Sequence, residues 1–110
     1  MKEIILVRHG KSSWEFDVTD RNRPLKSRGV TDAKLVAEEF VKKGDIPKRI
    51  FSSPATRASS TCKIFSSILG FSESSIQVID ELYDFGGDNV VKFIKKLPND
   101  FNNVMIFGHN

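Results

Sequence analysis

The feature that most constrains this chain is an alternation of two periodicities. Four short apolar runs, residues 3–7 (EIILV), 49–52 (RIFS), 76–79 (IQVI) and 104–107 (VMIF), are separated by three stretches with helical spacing. Runs of this length are strand-sized, and the first and last are continuous, not alternating. Such strands need cover on both faces, as in a parallel sheet. Between the first two runs, Val30, Ala33, Val36, Ala37, Phe40 and Val41 recur at intervals of three and four and mark one face of a helix over 27–43. Gly44 and Pro47 end it. A second helix is expected over 54–69, with Ser53 as cap, Pro54 at its first position and Gly70 as its stop. A third is expected over 88–97, capped by Asp88 and stopped by Pro98, and carries Val90, Val91, Ile94 and Leu97. Residues 11–26 are polar, contain Pro24 and read as a loop. The order predicts an α/β fold: a three-layer α/β/α arrangement with a mostly parallel sheet of about four strands and helices on both faces.

Length limits the chain to one domain, taken as 1–110, or part of one. With 39% hydrophobic and 28% charged residues, disorder is excluded. The net charge of +3 is mild and spread along the chain. It favours an anionic small substrate or a phosphoprotein as partner and argues against a nucleic-acid groove. The single cysteine, Cys62, rules out an internal disulfide and lies in an apolar helical pattern, where a buried structural thiol is expected. No apolar run is long enough to cross a bilayer, and the N-terminus lacks a signal-peptide core. The chain is expected to be cytoplasmic, with no membrane partner. Nothing in the sequence speaks to oligomeric state.

Ligands of open α/β sheets bind at the carboxyl ends of the strands. Three expected strands end in chemically informative residues: Arg8-His9-Gly10, Ser52-Ser53-Pro54 leading to Arg57, and Gly108-His109. Both histidines of the chain follow strands directly. Each signal alone suits an ordinary loop; together they suit a phosphate site. The planar fork of an arginine matches phosphate oxygens. A neutral imidazole can attack phosphorus, provided its other nitrogen keeps a proton, usually by donating to a carbonyl. Gly10 lets the backbone turn sharply near a ligand. Arg57 falls on the first turn of a helix, where backbone N–H groups also favour an anion. No cluster has metal-ligand spacing, so no metal and no cofactor are expected. The absence of a Gly-rich phosphate loop weighs against a nucleotide-binding, flavodoxin-like module.

The segments "LVRHGKSSWE", "RPLKSRG", "SSPATRASST" and "FGHN", in that order, resemble the histidine phosphatase superfamily, and most closely its small SixA-type phosphohistidine phosphatases. The resemblance implies an α/β/α fold and metal-free hydrolysis through a covalent phosphohistidine. It implies that His9 is the nucleophile, that Arg8 and Arg57 bind phosphate, and that His109 holds a phosphate oxygen. Arg23 matches a further substrate-binding arginine, with Arg21 as the competing choice. Ser12, with Ser13 and Trp14, would lie on the rim. The match of Leu82-Tyr83-Asp84 to a Leu-x-Glu pattern makes Asp84 the first candidate for general acid and Glu81 the second. A phosphoramidate, whose leaving nitrogen can be protonated beforehand, would need a weak acid or none. The expected substrate is a phosphohistidine protein or a small phosphoester; the alternative is a non-catalytic phosphate-binding or interaction module of the same fold. Members of the family continue beyond the second histidine. The C-terminal part of the fold is therefore expected to be missing here, leaving apolar sheet surface exposed.

Overall fold

The order in which the strands pair decides where the helices lie. The structure is a computed structural model and describes residues 3–10, 19–44, 46–98 and 100–109. It contains β1 (Glu3–Arg8), α1 (Ser27–Lys42), β2 (Arg49–Ser52), α2 (Thr56–Leu69), β3 (Ile76–Val78), α3 (Asp88–Lys96) and β4 (Asn103–Gly108). Short 3-10 turns occupy Asp20–Asn22, Glu73–Ser75 and Asp80–Leu82. The four strands form one parallel sheet in the order β1-β4-β2-β3. The chain moves one way across the sheet from β1 to β2 to β3, then reverses to insert β4. Crossovers between parallel strands are right-handed, so the reversal sends α3 to the opposite face from α1 and α2.

Two cores follow. On one face Ala33 and Ala37 of α1 and Cys62, Phe65 and Leu69 of α2 pack on Ile50, Met105 and Phe107. On the other, Phe93 of α3 and Leu97 pack on Phe51, Val104 and Ile106, with Leu82. The fold is thus the α/β/α architecture expected, with helices on both faces. Cys62 is fully buried, and burial pushes its thiol up to about 12, as befits a packing residue. Among the described residues, the α3 face has one helix where the other face has two. Leu6 and Val91 are exposed there beside Val90, Ile94 and Ile106, which line an apolar groove. No helix among the described residues is long and apolar enough to cross a membrane.

Two helix starts differ from expectation. Helix α2 begins at Thr56 with Ala55 as its cap, not at Pro54 with Ser53. Ser53 still belongs to the strand end: its N–H donates to Phe107 O, continuing the ladder beyond β2. At α3, Asp88 is the first helical residue and the cap is Gly87, at φ 94°. The first-turn amides of Asn89 and Val90 instead donate to the carboxylate of Asp84.

Phe107 is fully buried in β4, edge-on to Phe65 at 5.1 Å. Phe107→Ala is expected to destabilise the protein by about 3–5 kcal/mol, measurable as a lower denaturant midpoint. A change below about 1 kcal/mol would mean that this ring lies outside the core.

Candidate active site

Because β4 pairs between β1 and β2, the ends of three strands far apart in sequence become neighbours. Arg8 is in register with Gly108, and Ser52 with Phe107. His9 N–H then donates to Gly108 O, which places His9 and His109 side by side with ring centroids 5.4 Å apart.

The His9 loop is fixed from both sides. Gly10 N–H donates to Thr61 Oγ1 of α2, and the Thr61 hydroxyl donates to Arg57 O. A Cβ on Gly10 would lie 2.8 Å from the carbonyl oxygen of Gly29 in α1. Gly10 is therefore required by the close approach of two backbones, not by a left-handed conformation; the positive-φ glycines among the described residues are Gly44, Gly70 and Gly87. Gly10 O is 2.7 Å from His9 Nδ1. A carbonyl can only accept, so Nδ1 carries the proton and Nε2 presents a lone pair. Arg57 Nε–H lies 3.4 Å from that Nε2.

Arg57 is almost completely buried at the start of α2. Its Nη2 donates to Asp20 Oδ2 at 3.0 Å, and its Nη1 donates to Asp20 O. His109 is also buried. Ser53 Oγ lies 2.9 Å from its Nε2 and already accepts from Ala55 N–H. The Ser53 hydroxyl fixes the ring through Nε2 and leaves Nδ1 turned toward the site. That Nδ1 is buried and has no partner among the described residues. Phe85 and Tyr83 wall the ring at 4.8 and 5.4 Å. The site thus offers an imidazole lone pair, a buried guanidinium and a second imidazole with an unpartnered buried nitrogen, groups suited to a tetrahedral oxyanion.

A model of the histidine phosphatase superfamily (branch 1) matches residues 4–109. The chain belongs to this superfamily. Its structure is similar to that of the SixA protein of Agrobacterium tumefaciens, with a TM-score of 0.85 and 28% identity over 97% of this chain and 68% of that one. It is also similar to a protein histidine phosphatase SixA complexed with tungstate, with a TM-score of 0.83 and 26% identity over 96% of this chain and 68% of that one. An uncharacterised chloroplastic protein of Arabidopsis thaliana is 32% identical over 99% of this chain and 54% of its own length. The chain spans about half the length of that curated relative.

The residues carried over from the histidine phosphatase resemblance do not all converge. His9, Arg57 and His109 do. Arg8 is exposed at the end of β1, near enough that its charge helps hold the His9 imidazole down. Arg23 is buried, with Nε 3.3 Å from Asp20 Oδ1, beside Arg57. Arg21 pairs with Asp80 at 3.7 Å and lies over the Tyr83 ring at 5.9 Å, whereas Arg23 shares Asp20 with Arg57. Ser12, with Ser13 and Trp14, lies outside the described residues. Asp84 borders His109, but its carboxylate accepts the N–H groups of Gly86, Asn89 and Val90. Desolvation raises its pKa, yet these backbone bonds outweigh it and leave the group below the usual value. Such a carboxyl serves as the cap of α3. Glu81 faces Lys96 at 3.6 Å. Among the described residues no group of three or more His, Cys, Asp or Glu converges on a metal position.

Sequence reasoning missed Asp20, Tyr83 and the part played by Ser53. Asp20 was legible as a lone acid in the basic stretch "TDRNRPLKSRG". Its contact with Tyr83, whose hydroxyl donates to Oδ2 at 2.6 Å, links residues 63 apart and left no local mark.

Both histidines are held neutral. Burial is the main cause of the lowered pKa of His9; the Gly10 bond opposes it, and Arg57, Arg8 and Arg23 add to it. Burial, then Arg57 and His9, bring His109 down to about 4. Between about pH 4 and the unfolded value near 6.5, the unfolded chain holds more protons than the folded one. The stability that a neutral His109 contributes is therefore complete above pH 6.5 and is lost as pH falls toward 4. An NMR titration of ring nitrogens should find His109 titrating at about 4, well below the ordinary histidine value. A His109 midpoint at or above 6.5 would contradict the buried placement.

Proposed function

We propose that the chain is a phosphatase that forms a covalent phosphohistidine on His9, and that its substrates are phosphohistidine proteins or small phosphoesters. The observation that carries this reading is the His9 tautomer: Nδ1–H is committed to Gly10 O, so the lone pair is on Nε2, where it accepts from Arg57 Nε–H, a donor that a phosphate oxygen would take over. That is what a nucleophile toward phosphorus requires. The lowered pKa keeps the lone pair available at neutral pH.

The chemistry is two displacements. The Nε2 lone pair bonds to phosphorus while the bond from phosphorus to the leaving atom breaks, and the leaving atom keeps that electron pair. Water then attacks phosphorus, the phosphorus–Nε2 bond breaks and returns its pair to the imidazole, and inorganic phosphate departs with the water proton going to solvent. Charge on the equatorial oxygens is met by Arg57, Arg8 and Arg23 and by the imidazole of His109. Asp84, as a helix cap, is poorly suited to protonate a leaving oxygen, and Glu81 is turned toward Lys96. A phosphoramidate carries its leaving proton on nitrogen before the bond breaks. The arrangement therefore favours phosphohistidine over alkyl phosphoesters, and the likeness to SixA proteins supports the same class.

The test is turnover of p-nitrophenyl phosphate and of a phosphohistidine peptide by the parent and two variants. His9→Ala should abolish both while tungstate binding remains. Arg57→Lys should lose about ten- to a hundredfold, as expected when a charge-assisted bond worth about 1.5–3 kcal/mol loses its geometry. Tungstate binding without turnover in the parent would make the chain a phosphate-binding module instead.

Metal independence is a separate expectation. Rates should be unchanged in EDTA, since the cationic side chains already face the phosphate position. Loss on chelation with recovery on adding a divalent ion would overturn the metal-free scheme.

A further inference from the structure

Arg57 has two usable edges. Nε–H and the adjacent Nη2–H form its side edge, and the remaining hydrogens of Nη1 and Nη2 form its end edge. The side edge faces His9 Nε2, through Nε at 3.4 Å. The end edge is held entirely by Asp20, whose backbone carbonyl takes Nη1 and whose Oδ2 takes Nη2 at 3.0 Å. The carboxylate is itself pinned: Tyr83 OH donates to Oδ2 at 2.6 Å and Arg23 Nε lies 3.3 Å from Oδ1. The Tyr83 ring in turn packs against His109. One carboxylate therefore joins the two buried arginines to the wall of the second histidine, without touching the attacking nitrogen.

We propose that Asp20 is a positioning residue. It holds the end edge of Arg57, so that the side edge stays beside His9 Nε2 and can turn to the oxygens of the phosphoryl group that His9 attacks. This rests on the reading of His9 as nucleophile. A carboxylate this close to a phosphate site opposes dianion binding through its charge, so its value must lie in geometry. The Tyr83 hydrogen bond is the largest cause holding it below the usual carboxylate range, which keeps it an anion and a fixed acceptor for Arg57.

The consequence is a split between rate and binding. Asp20→Asn keeps the shape, removes the charge and loosens the clamp. It should lower kcat for p-nitrophenyl phosphate by about ten- to a hundredfold, the scale set by misplacing a catalytic group by about 1 Å. KM and the tungstate dissociation constant, measured by calorimetry, should stay within about threefold of the parent or improve, because a repelling charge is gone. The Arg57 Nε–H resonance, sharp in a clamped guanidinium, should broaden in the variant. Three results would overturn the proposal: kcat within about twofold of the parent; kcat and tungstate affinity falling together with the melting temperature, as for a merely structural ion pair; or an equally sharp Arg57 signal in both proteins. If Asp20→Asn does not fold, Tyr83→Phe removes only the hydroxyl that orients the carboxylate, and the same split and the same broadening are expected. A parent without His9-dependent turnover would defeat the nucleophile reading instead, and the Arg57 resonance would still decide the role of Asp20.

Discussion

The site is organised around a buried cation. Removing a guanidinium from water costs several kcal/mol unless charge and hydrogen-bond partners replace the solvent. Arg57 is 1% exposed and recruits partners from three directions: the carboxylate and carbonyl of Asp20, the lone pair of His9 and, near its face, the ring of Phe85. Satisfying this one charge brings the 3-10 turn at Asp20–Asn22 onto α2 and ties the loop after β1 to the loop before α3. Depression of both histidine pKa values follows from the same burial and the same positive charge.

Most of the fold was legible in the sequence, since strand and helix periodicities are local properties. The second strand was read with its observed bounds, and α1 and α3 each ended one residue before the expected limit. The errors fell at helix starts. Ser-Pro before α2 reads as a capped N-terminus, but Ser53 is retained by the ladder to Phe107, so the helix starts later. Asp88 reads as a cap because nothing local shows that Gly87 turns left-handed and lets Asp84 reach back over the first turn.

The site was legible in part for the same reason. Residues that follow a strand directly inherit its position, and His9, His109 and Arg57 could therefore be gathered at one sheet edge. The remaining contacts depend on strand order, which the sequence leaves open. Placing β4 between β1 and β2 is what sets Ser53 against His109, and folding the loop back is what sets Asp20 against Tyr83. Asp84 shows the converse: its place in a family-like pattern suggested chemistry, whereas its hydrogen bonds give it a structural task.

Among the described strands, the one that leads into His9 stands at one end of the sheet. Strand β1 pairs with β4 alone among the described strands, and Leu6 on it is more than half exposed. Edge strands open at lower free energy than central ones. When β1 peels away, the amide of His9 leaves Gly108 and the imidazole departs with it, while Arg57 and His109 stay anchored to inner elements. Within the described sheet, the assembled site therefore depends on the pairing of β1 with β4. A bound oxyanion that bridges His9 to Arg57 would act as a staple across that seam, so occupancy would slow amide exchange along β1 more than anywhere else.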